Sequence, residues 1–331
     1  MRKAIIYGTG HYYKQNRSKL PKDLEIVAYA DSYENNATSH NGHLYEGMPV
    51  LLPEEFKNVE YDIIFICTDY IIGNQIFQKL IEVGIPSDHI QFLNRIDAGT
   101  SWNYTATDDK RGYISTIDGI TVCERYLTDF DIVYEVLCRH SYRFKLLEQD
   151  CVVIDMGMNV AIASLYFANM SNVKKVYSYE AFQDTYEQGR ANIALNSDEI
   201  KSKIIAENIA LSDENITKKV AVSSEQTGWR TIFSTDQSKR WTEIVCRDAG
   251  EIVKKILDKH QEKFILKIDT EGAEFQIFDS LDRSKCFERI DVIMMEYHGD
   301  STKLISILEK YSYKIFAQGK RVGMGMMYAV K

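Results

Sequence analysis

The sequence predicts an α/β chain of two tandem domains, a small parallel sheet followed by a seven-stranded one. Three observations carry this. The chain has 331 residues, which at roughly 150 per domain suggests about two. Short apolar runs alternate with helix-period segments twice over, the pattern of parallel βαβ units. Between the two alternations, 99–125 breaks the rhythm. Composition is that of a globular protein: 45% apolar and 27% charged, with 18 glycines and four prolines, which excludes a disordered or collagen-like chain. The net charge of −8 divides evenly, with 9 basic and 13 acidic residues up to 98 and 31 and 35 beyond it. With no basic arm or acidic tail, neither nucleic acid nor an anionic membrane is an expected partner.

The elements follow in order. Residues 3–7 form an apolar run closing on Gly8-Thr9-Gly10, a first strand and not a signal peptide. Runs at 25–30, 61–68 and 89–93 continue the first sheet, and 69–83 has helical spacing. Residues 114–124 read as a hairpin turning at Asp118-Gly119, and 130–147 as a helix through Val133, Val136, Leu137, Phe144 and Leu147. From Cys151 the alternation restarts, with strands at 151–155, 175–180, 203–207, 263–269 and 290–296. Helices lie between them near 159–170, 183–196, 248–260 and 273–280. A helix at 301–311 precedes 313–317 and 324–330, joined by a turn at Gly319-Lys320. That final antiparallel pair predicts seven strands with one reversed. The six cysteines are widely spaced, mostly inside apolar runs, and lack a Cys-x-x-Cys pair. They read as reduced core thiols of a cytoplasmic protein. No stretch reaches the 18 apolar residues of a membrane span.

Two sites are expected. In the first, Gly8 and Gly10 turn between strand and helix, where backbone N–H groups can approach a phosphate. Asp31 ends the next strand, placed to accept ribose hydroxyls. Position 13 is Tyr13 instead of a third glycine, so three readings stand: a plain βα turn, a nucleotide or nucleotide-sugar pocket, and a nicotinamide site. The pair His40 and His43 lies in a polar loop without a third ligand nearby, so no metal site is expected.

In the second, five consecutive strands end in polar groups along one sheet edge, where ligands bind. Asp155 and Gly157 follow the first strand and precede Asn159, Glu180 ends the second, and Asn208 follows the third. Lys267, Asp269 and Glu271 end the fourth, and Glu296 and His298 the fifth. A carboxylate-rich edge with a single glycine turn suits S-adenosylmethionine better than a dinucleotide. That cofactor has no phosphate, carries a cationic sulfonium and amino group, and presents a ribose that Glu180 can hold. Asp155 acts on the methionine tail directly or through the turn backbone. Lys267 points to the same side of the sheet as Asp269 and is expected to pair with Asp269 or Glu296. Asn208 brackets the adenine. Glu271 and Glu274 flank the next helix start, where they favour its dipole. His298 is a candidate general base and Glu296 a substrate ligand or base. The stretch 223–241, with Trp229, Arg230 and Trp241, is a candidate lid over the acceptor site.

These residues carry a resemblance. Asp155-x-Gly157-x-Asn159, Glu180, Asn192-Ile193-Ala194-Leu195-Asn196, the block Leu266-Lys267-Ile268-Asp269-Thr270-Glu271-Gly272-Ala273-Glu274, and Glu296-x-His298 together resemble the FkbM family of S-adenosylmethionine-dependent methyltransferases. The resemblance spans about 150 residues. It implies a class I methyltransferase-type sheet over 126–331, after a linker and hairpin at 99–125. Together with a looser N-terminal resemblance, it implies methyl transfer to a sugar or polyketide-like hydroxyl oxygen, with a sugar-nucleotide or glycan precursor the favoured acceptor. The family alanine is Met158 here and its second glycine is Ala161, and a bulky Met158 beside the cofactor tail would narrow the pocket. Read the other way, these two residues mark a degenerate domain in a non-catalytic nucleotide-sugar-binding or scaffold protein. More loosely, Ile6-Tyr7-Gly8-Thr9-Gly10, Ala30-Asp31, Gly47-Met48-Pro49-Val50 and 62–68 resemble the N-terminal domains of PglD-type sugar-nucleotide acyltransferases. That implies a Rossmann-like nucleotide-sugar domain over 1–98.

Overall fold

A computed structural model describes residues 1–31, 44–68, 70–86, 89–93, 102–106, 113–125, 127–143, 149–222, 230–233, 240–321 and 323–331. The expectations for His40, His43, Phe144, Leu147 and Trp229, and most of the 223–241 stretch, lie outside the described residues. The chain divides into two compact units, Met1–Arg139 and His140–Lys331.

The first unit runs β1 (Arg2–Tyr7), α1 (His11–Asn16), β2 (Leu24–Ala30), β3 (Leu44–Tyr45), β4 (Met48–Leu51), β5 (Ile63–Ile66), α2 (Tyr70–Glu82) and β6 (Ile90–Phe92). These strands make a six-stranded sheet in the order β3-β4-β2-β1-β5-β6, parallel except for the β3–β4 hairpin. Period-two alternation sorts β1 between two cores. Ile5 and Tyr7 join Ile76, Phe77 and Leu80 of α2, whereas Ala4 and Ile6 join Tyr13 of α1. Three further strands, β7 (Trp102–Ala106), β8 (Tyr113–Ile117) and β9 (Ile120–Glu124), form an antiparallel sheet. Its Asp118-Gly119 turn has φ of 49° and 82°, the doubly left-handed geometry of a two-residue hairpin turn. Helix α3 (Leu127–Val133) then widens into a π-helical turn, Tyr134–Cys138.

The second unit runs β10 (Cys151–Met156), α4 (Ile162–Ala168), β11 (Val173–Tyr179), α5 (Gln183–Ala194), α6 (Asp198–Lys203), β12 (Ile204–Glu207), β13 (Ala210–Ser212), β14 (Ile216–Ala221) and β15 (Trp241–Asp248). It continues with α7 (Ala249–Lys259), β16 (Lys263–Ile268), α8 (Glu274–Arg283), β17 (Val292–His298), α9 (Thr302–Lys310), β18 (Lys314–Arg321) and β19 (Met324–Val330). Seven strands pair in the order β12-β11-β10-β16-β17-β19-β18. All are parallel save β19, which runs antiparallel to both neighbours. The expected α/β architecture, with seven strands and one reversed, is therefore present.

Three details differ from expectation. The last strand pair reverses at Gly323 (φ 73°), not at Gly319-Lys320, because Gly319 stays in the ladder opposite Gly325. Helix α4 begins at Ile162 instead of 159, because Asn159 and Ala161 hold left-handed backbone (φ 50° and 70°). A separate three-stranded sheet, β13-β15-β14, occupies part of the stretch read as connection. Among the described residues, no helix is long and apolar enough to cross a membrane.

Candidate active site

The central strand β10 sets the site. Asp155 stands opposite Ser178 of β11 and Lys267 of β16, so all three share one sheet face. Asp155 is completely buried. Its Oδ1 lies 3.0 Å from Lys267 Nζ, and its Oδ2 accepts from the Ser164 hydroxyl at 2.6 Å, which in turn lies 2.9 Å from the Ser178 hydroxyl. Lys267 thus pairs with Asp155, not with Asp269 or Glu296 as expected; direct strand register brings the two together. Its ammonium also donates to the Gly157 carbonyl. Burial opposes the Lys267 charge, but Asp155 and Asp269 outweigh it and raise the pKa above the ordinary lysine value. The pair therefore acts on the Gly157 turn from beneath.

That turn admits only glycine. Gly157 has φ +84°, and a Cβ there would meet the Asp269 carbonyl oxygen at 1.8 Å. Its N–H and that of Met158 donate to the Tyr179 carbonyl at 3.0 and 2.8 Å, and Asp269 N–H donates to the Met156 carbonyl at 2.9 Å. The ends of β10, β11 and β16 are thereby locked together. Met158 does not narrow this opening. Its side chain is 1% exposed and its Cε lies 2.7 Å from where a Gly189 Cβ would stand, so the missing side chain in α5 makes room for it. Asn192 Nδ2 donates to the Val160 carbonyl at 2.9 Å, which gives the first asparagine of the 192–196 motif a role in holding the turn.

Glu180, buried at the end of β11, accepts one backbone N–H on each oxygen: Asn159 on Oε2 at 2.9 Å and Phe182 on Oε1 at 3.0 Å. Burial pushes its pKa up to about 7, against those two N–H groups and the charges of Lys267 and Arg230. Asn208 Nδ2 donates to the carbonyls of Glu180 and Ala181 at 2.8 and 3.2 Å, which fixes the next turn. Asn159 Oδ1 is buried without a hydrogen-bond partner.

The far side of the edge is acidic. Burial raises the Asp269 carboxyl to about 6, with Glu296 and Glu274 adding to the shift and Lys267 opposing it. Glu271 sits in left-handed backbone (φ 52°), and burial followed by the Asp269 charge raises it to about 7. Glu274, wholly buried, collects Thr270 N–H, Thr270 hydroxyl and Gly272 N–H on Oε1 at 3.2, 3.0 and 3.1 Å. Burial works against its charge, yet His298 and these donors hold it below the usual glutamate range. His298 lies between two carboxylates, with Nδ1 3.4 Å from Glu274 and Nε2 3.2 Å from Glu271. Although burial disfavours its charge, Glu274 and Glu271 lift its pKa to about 9. The two carboxylates therefore favour the charged imidazole. Glu296 stands two residues before His298 on the same face of β17, opposite Met326, and is coupled electrostatically to Asp269 and Glu271.

Residues 155–315 match the family model described as the methyltransferase FkbM domain. Over these residues the second unit is similar to an FkbM domain. Every second-site residue named from the sequence falls within it, and the structure brings them to one sheet edge. Residues 1–91 match a different model, C2185-like, N-terminal, and not the PglD type their motifs resemble. Among solved structures, the chain is similar to a methyltransferase FkbM from Methylobacillus flagellatus KT, at 15% identity over 99% of this chain and 90% of that one, with a TM-score of 0.40. It is also similar to a precorrin-6y C5,15-methyltransferase from Geobacter metallireducens GS-15 (16% identity, 56% and 82% covered, TM-score 0.31). A third is TYW2 from M. jannaschii in complex with AdoMet (14% identity, 66% and 85% covered, TM-score 0.37). No curated protein matches the chain.

In the first unit, Gly8 (φ +99°) is forced to be glycine, since a Cβ would meet Thr68 Cγ2 at 2.7 Å and the Cys67 carbonyl at 3.0 Å. Gly10 has open space around it and ordinary backbone. Asp31 accepts the Thr9 hydroxyl at 2.7 Å and its N–H at 3.3 Å, bracing the turn. Tyr13, where a third glycine would stand, is buried with its hydroxyl 3.1 Å from that of Tyr29.

Sequence reasoning missed Ser164 and Ser178. Strand register, which places Ser178 opposite Asp155, marks the second, and the α4 hydroxyl of Ser164 is tied to Asp155 only by the folded packing.

Proposed function

We propose that this protein transfers a methyl group from S-adenosylmethionine to a hydroxyl oxygen of a small polar acceptor, a sugar or glycan precursor. The observation that carries this is Glu180. Each of its oxygens accepts one backbone N–H, which fixes the carboxylate and leaves acceptor positions for a pair of ribose hydroxyls. The unpartnered Asn159 Oδ1 and the carboxylates of Asp269 and Glu271 suit the cofactor's amino group and positive charge. When bound, the cofactor supplies a methyl group already activated by its sulfonium.

The protein's share is positioning and proton removal. Orientation alone can supply roughly 7–11 kcal/mol. Asp155 and Lys267 hold the Gly157 turn from within, Asn208 fixes the turn after Glu180, and Asp269, Glu271 and Glu296 surround the transfer end. The acceptor's proton goes to one of these three carboxylates. His298, held between Glu271 and Glu274, orients Glu271 and is not itself the base. The Gly8 to Gly10 turn with Asp31 is, separately, the place for a nucleotide or nucleotide-sugar ligand of the first unit. The rival reading, a degenerate scaffold, rests on Met158 and Ala161; against it stands the burial of Met158, with its Cε beside Gly189.

Methyl-labelled S-adenosylmethionine incubated with a panel of sugars and nucleotide sugars tests this by detection of a methyl ether. In the same assay Asp269→Ala is expected to lose turnover, on the order of 10²-fold, by more than it loses cofactor binding. Equal loss of both would remove the role given to Asp269.

A further inference from the structure

The short segment 230–233 touches both halves of the edge. Arg230, 9% exposed, reaches the start of α5. Its Nη1 lies 2.6 Å from Asp184 Oδ1 and 3.1 Å from Thr185 Oγ1, and its guanidinium lies 5.5 Å from the Phe182 ring centroid. Phe182 is the residue whose N–H holds Glu180 Oε1. Ile232 enters the core. Thr231 Oγ1 and Phe233 Cδ2 both lie 3.7 Å from the Cβ direction of Gly272, beside Glu271.

A buried cation here is not explained by helix stability. It stands at the N-terminal end of α5, where the helix dipole disfavours positive charge, and its counter-charge Asp184 is half exposed. What its position does serve is Glu180. Two cations influence that carboxylate, Lys267 from β16 and Arg230. The Lys267 charge is already shared with Asp155 and Asp269. Asp184 on α5 is an anion opposing Arg230, and Glu207 at the end of β12 contributes its carbonyl to the Glu180 N–H at 3.1 Å.

We propose that Arg230 is a positioning residue: it clamps Phe182, Asp184 and Thr185 so that Glu180 is presented in place and stays anionic for the cofactor ribose. This rests on the reading of Glu180 as the ribose ligand. The charge matters because an ionised carboxylate accepts two hydroxyl bonds, whereas protonation removes acceptor capacity.

The test is calorimetric titration of the full chain with S-adenosylhomocysteine from pH 5.5 to 8.5. Wild-type affinity should decline as pH falls through about 7, the value to which Glu180 is raised. In Arg230→Gln the midpoint of that decline should move up by about half to one pH unit, less than for an unopposed charge because Asp184 offsets part of it. Arg230→Lys should restore the midpoint while binding more weakly at every pH, since it keeps the charge and loses the planar fork. If Arg230→Gln does not fold, Arg230→Met carries the same test, as its stem still packs on Phe182. A neutral variant that weakens binding evenly with an unmoved midpoint overturns the proposal. Absence of S-adenosylhomocysteine binding by the wild type at every pH would instead overturn the cofactor reading beneath it.

Discussion

Glu180, Asp269 and Glu271 are three carboxylates that burial holds near neutrality, at about 7, about 6 and about 7. Perturbed acids gathered at one edge mark a candidate functional site, and a cation bound among them would find three carboxyl groups. The sign of the consequence is fixed. A bound positive charge favours the ionised form and lowers each pKa, so protons leave the protein wherever ambient pH lies between the free and bound values. Near pH 6.5, S-adenosylmethionine binding should therefore release protons, and S-adenosylhomocysteine, without the sulfonium charge, should release fewer. Calorimetry in buffers of differing ionisation enthalpy reads this directly, and proton uptake would contradict it. The residue types of this site were legible in the sequence, because Asp155, Glu180, Asp269 and Glu296 all close strands. Their division of labour was not. Asp155 and Lys267 read as site groups, yet pairing of β10 with β16 joins them in the interior, and no spacing along the chain reveals a cross-strand neighbour. His298 read as a base because its ordinary pKa is near neutral; its two flanking glutamates come from a different element.

At the scale of elements, the Gly157 turn stores the clearest strain. Ala161 adopts φ of 70° at the start of α4, a conformation that costs an L-residue roughly 1–2 kcal/mol. Ala161→Gly should stabilise the protein by about 1 kcal/mol after the greater freedom of glycine in the unfolded chain is counted. Chemical denaturation measures this, and a destabilised variant would contradict it. Gly157→Ala should fail to fold correctly, since its Cβ would lie 1.8 Å from the Asp269 carbonyl. The alternation of strands and helices from Cys151 onward was legible because each buried strand reads as a continuous apolar run. The β13-β15-β14 sheet was not. Its longer strands alternate charged and apolar residues, as in Ile216-Thr217-Lys218-Lys219-Val220-Ala221, and they pair across a sequence gap that hides their relation.

For the whole molecule, the two units differ in how far chemistry can be read from them. In the second, five strand ends converge on one edge and most polar groups there have a neighbour that explains them. In the first, Gly8 is required by packing against the end of β5 and Asp31 by the Thr9 hydroxyl, so the features that suggested a ligand also brace the turn. The central claim is that the second unit holds S-adenosylmethionine through Glu180. The most direct measurement is calorimetric titration of the cofactor into the wild type and into Glu180→Gln at pH 8, where Glu180 is ionised. The account predicts one cofactor per wild-type chain and an affinity about 10–100-fold weaker in the variant, the equivalent of losing a charged hydrogen bond of roughly 1.5–3 kcal/mol. Equal affinity in the two proteins, or no binding by the wild type, would contradict it.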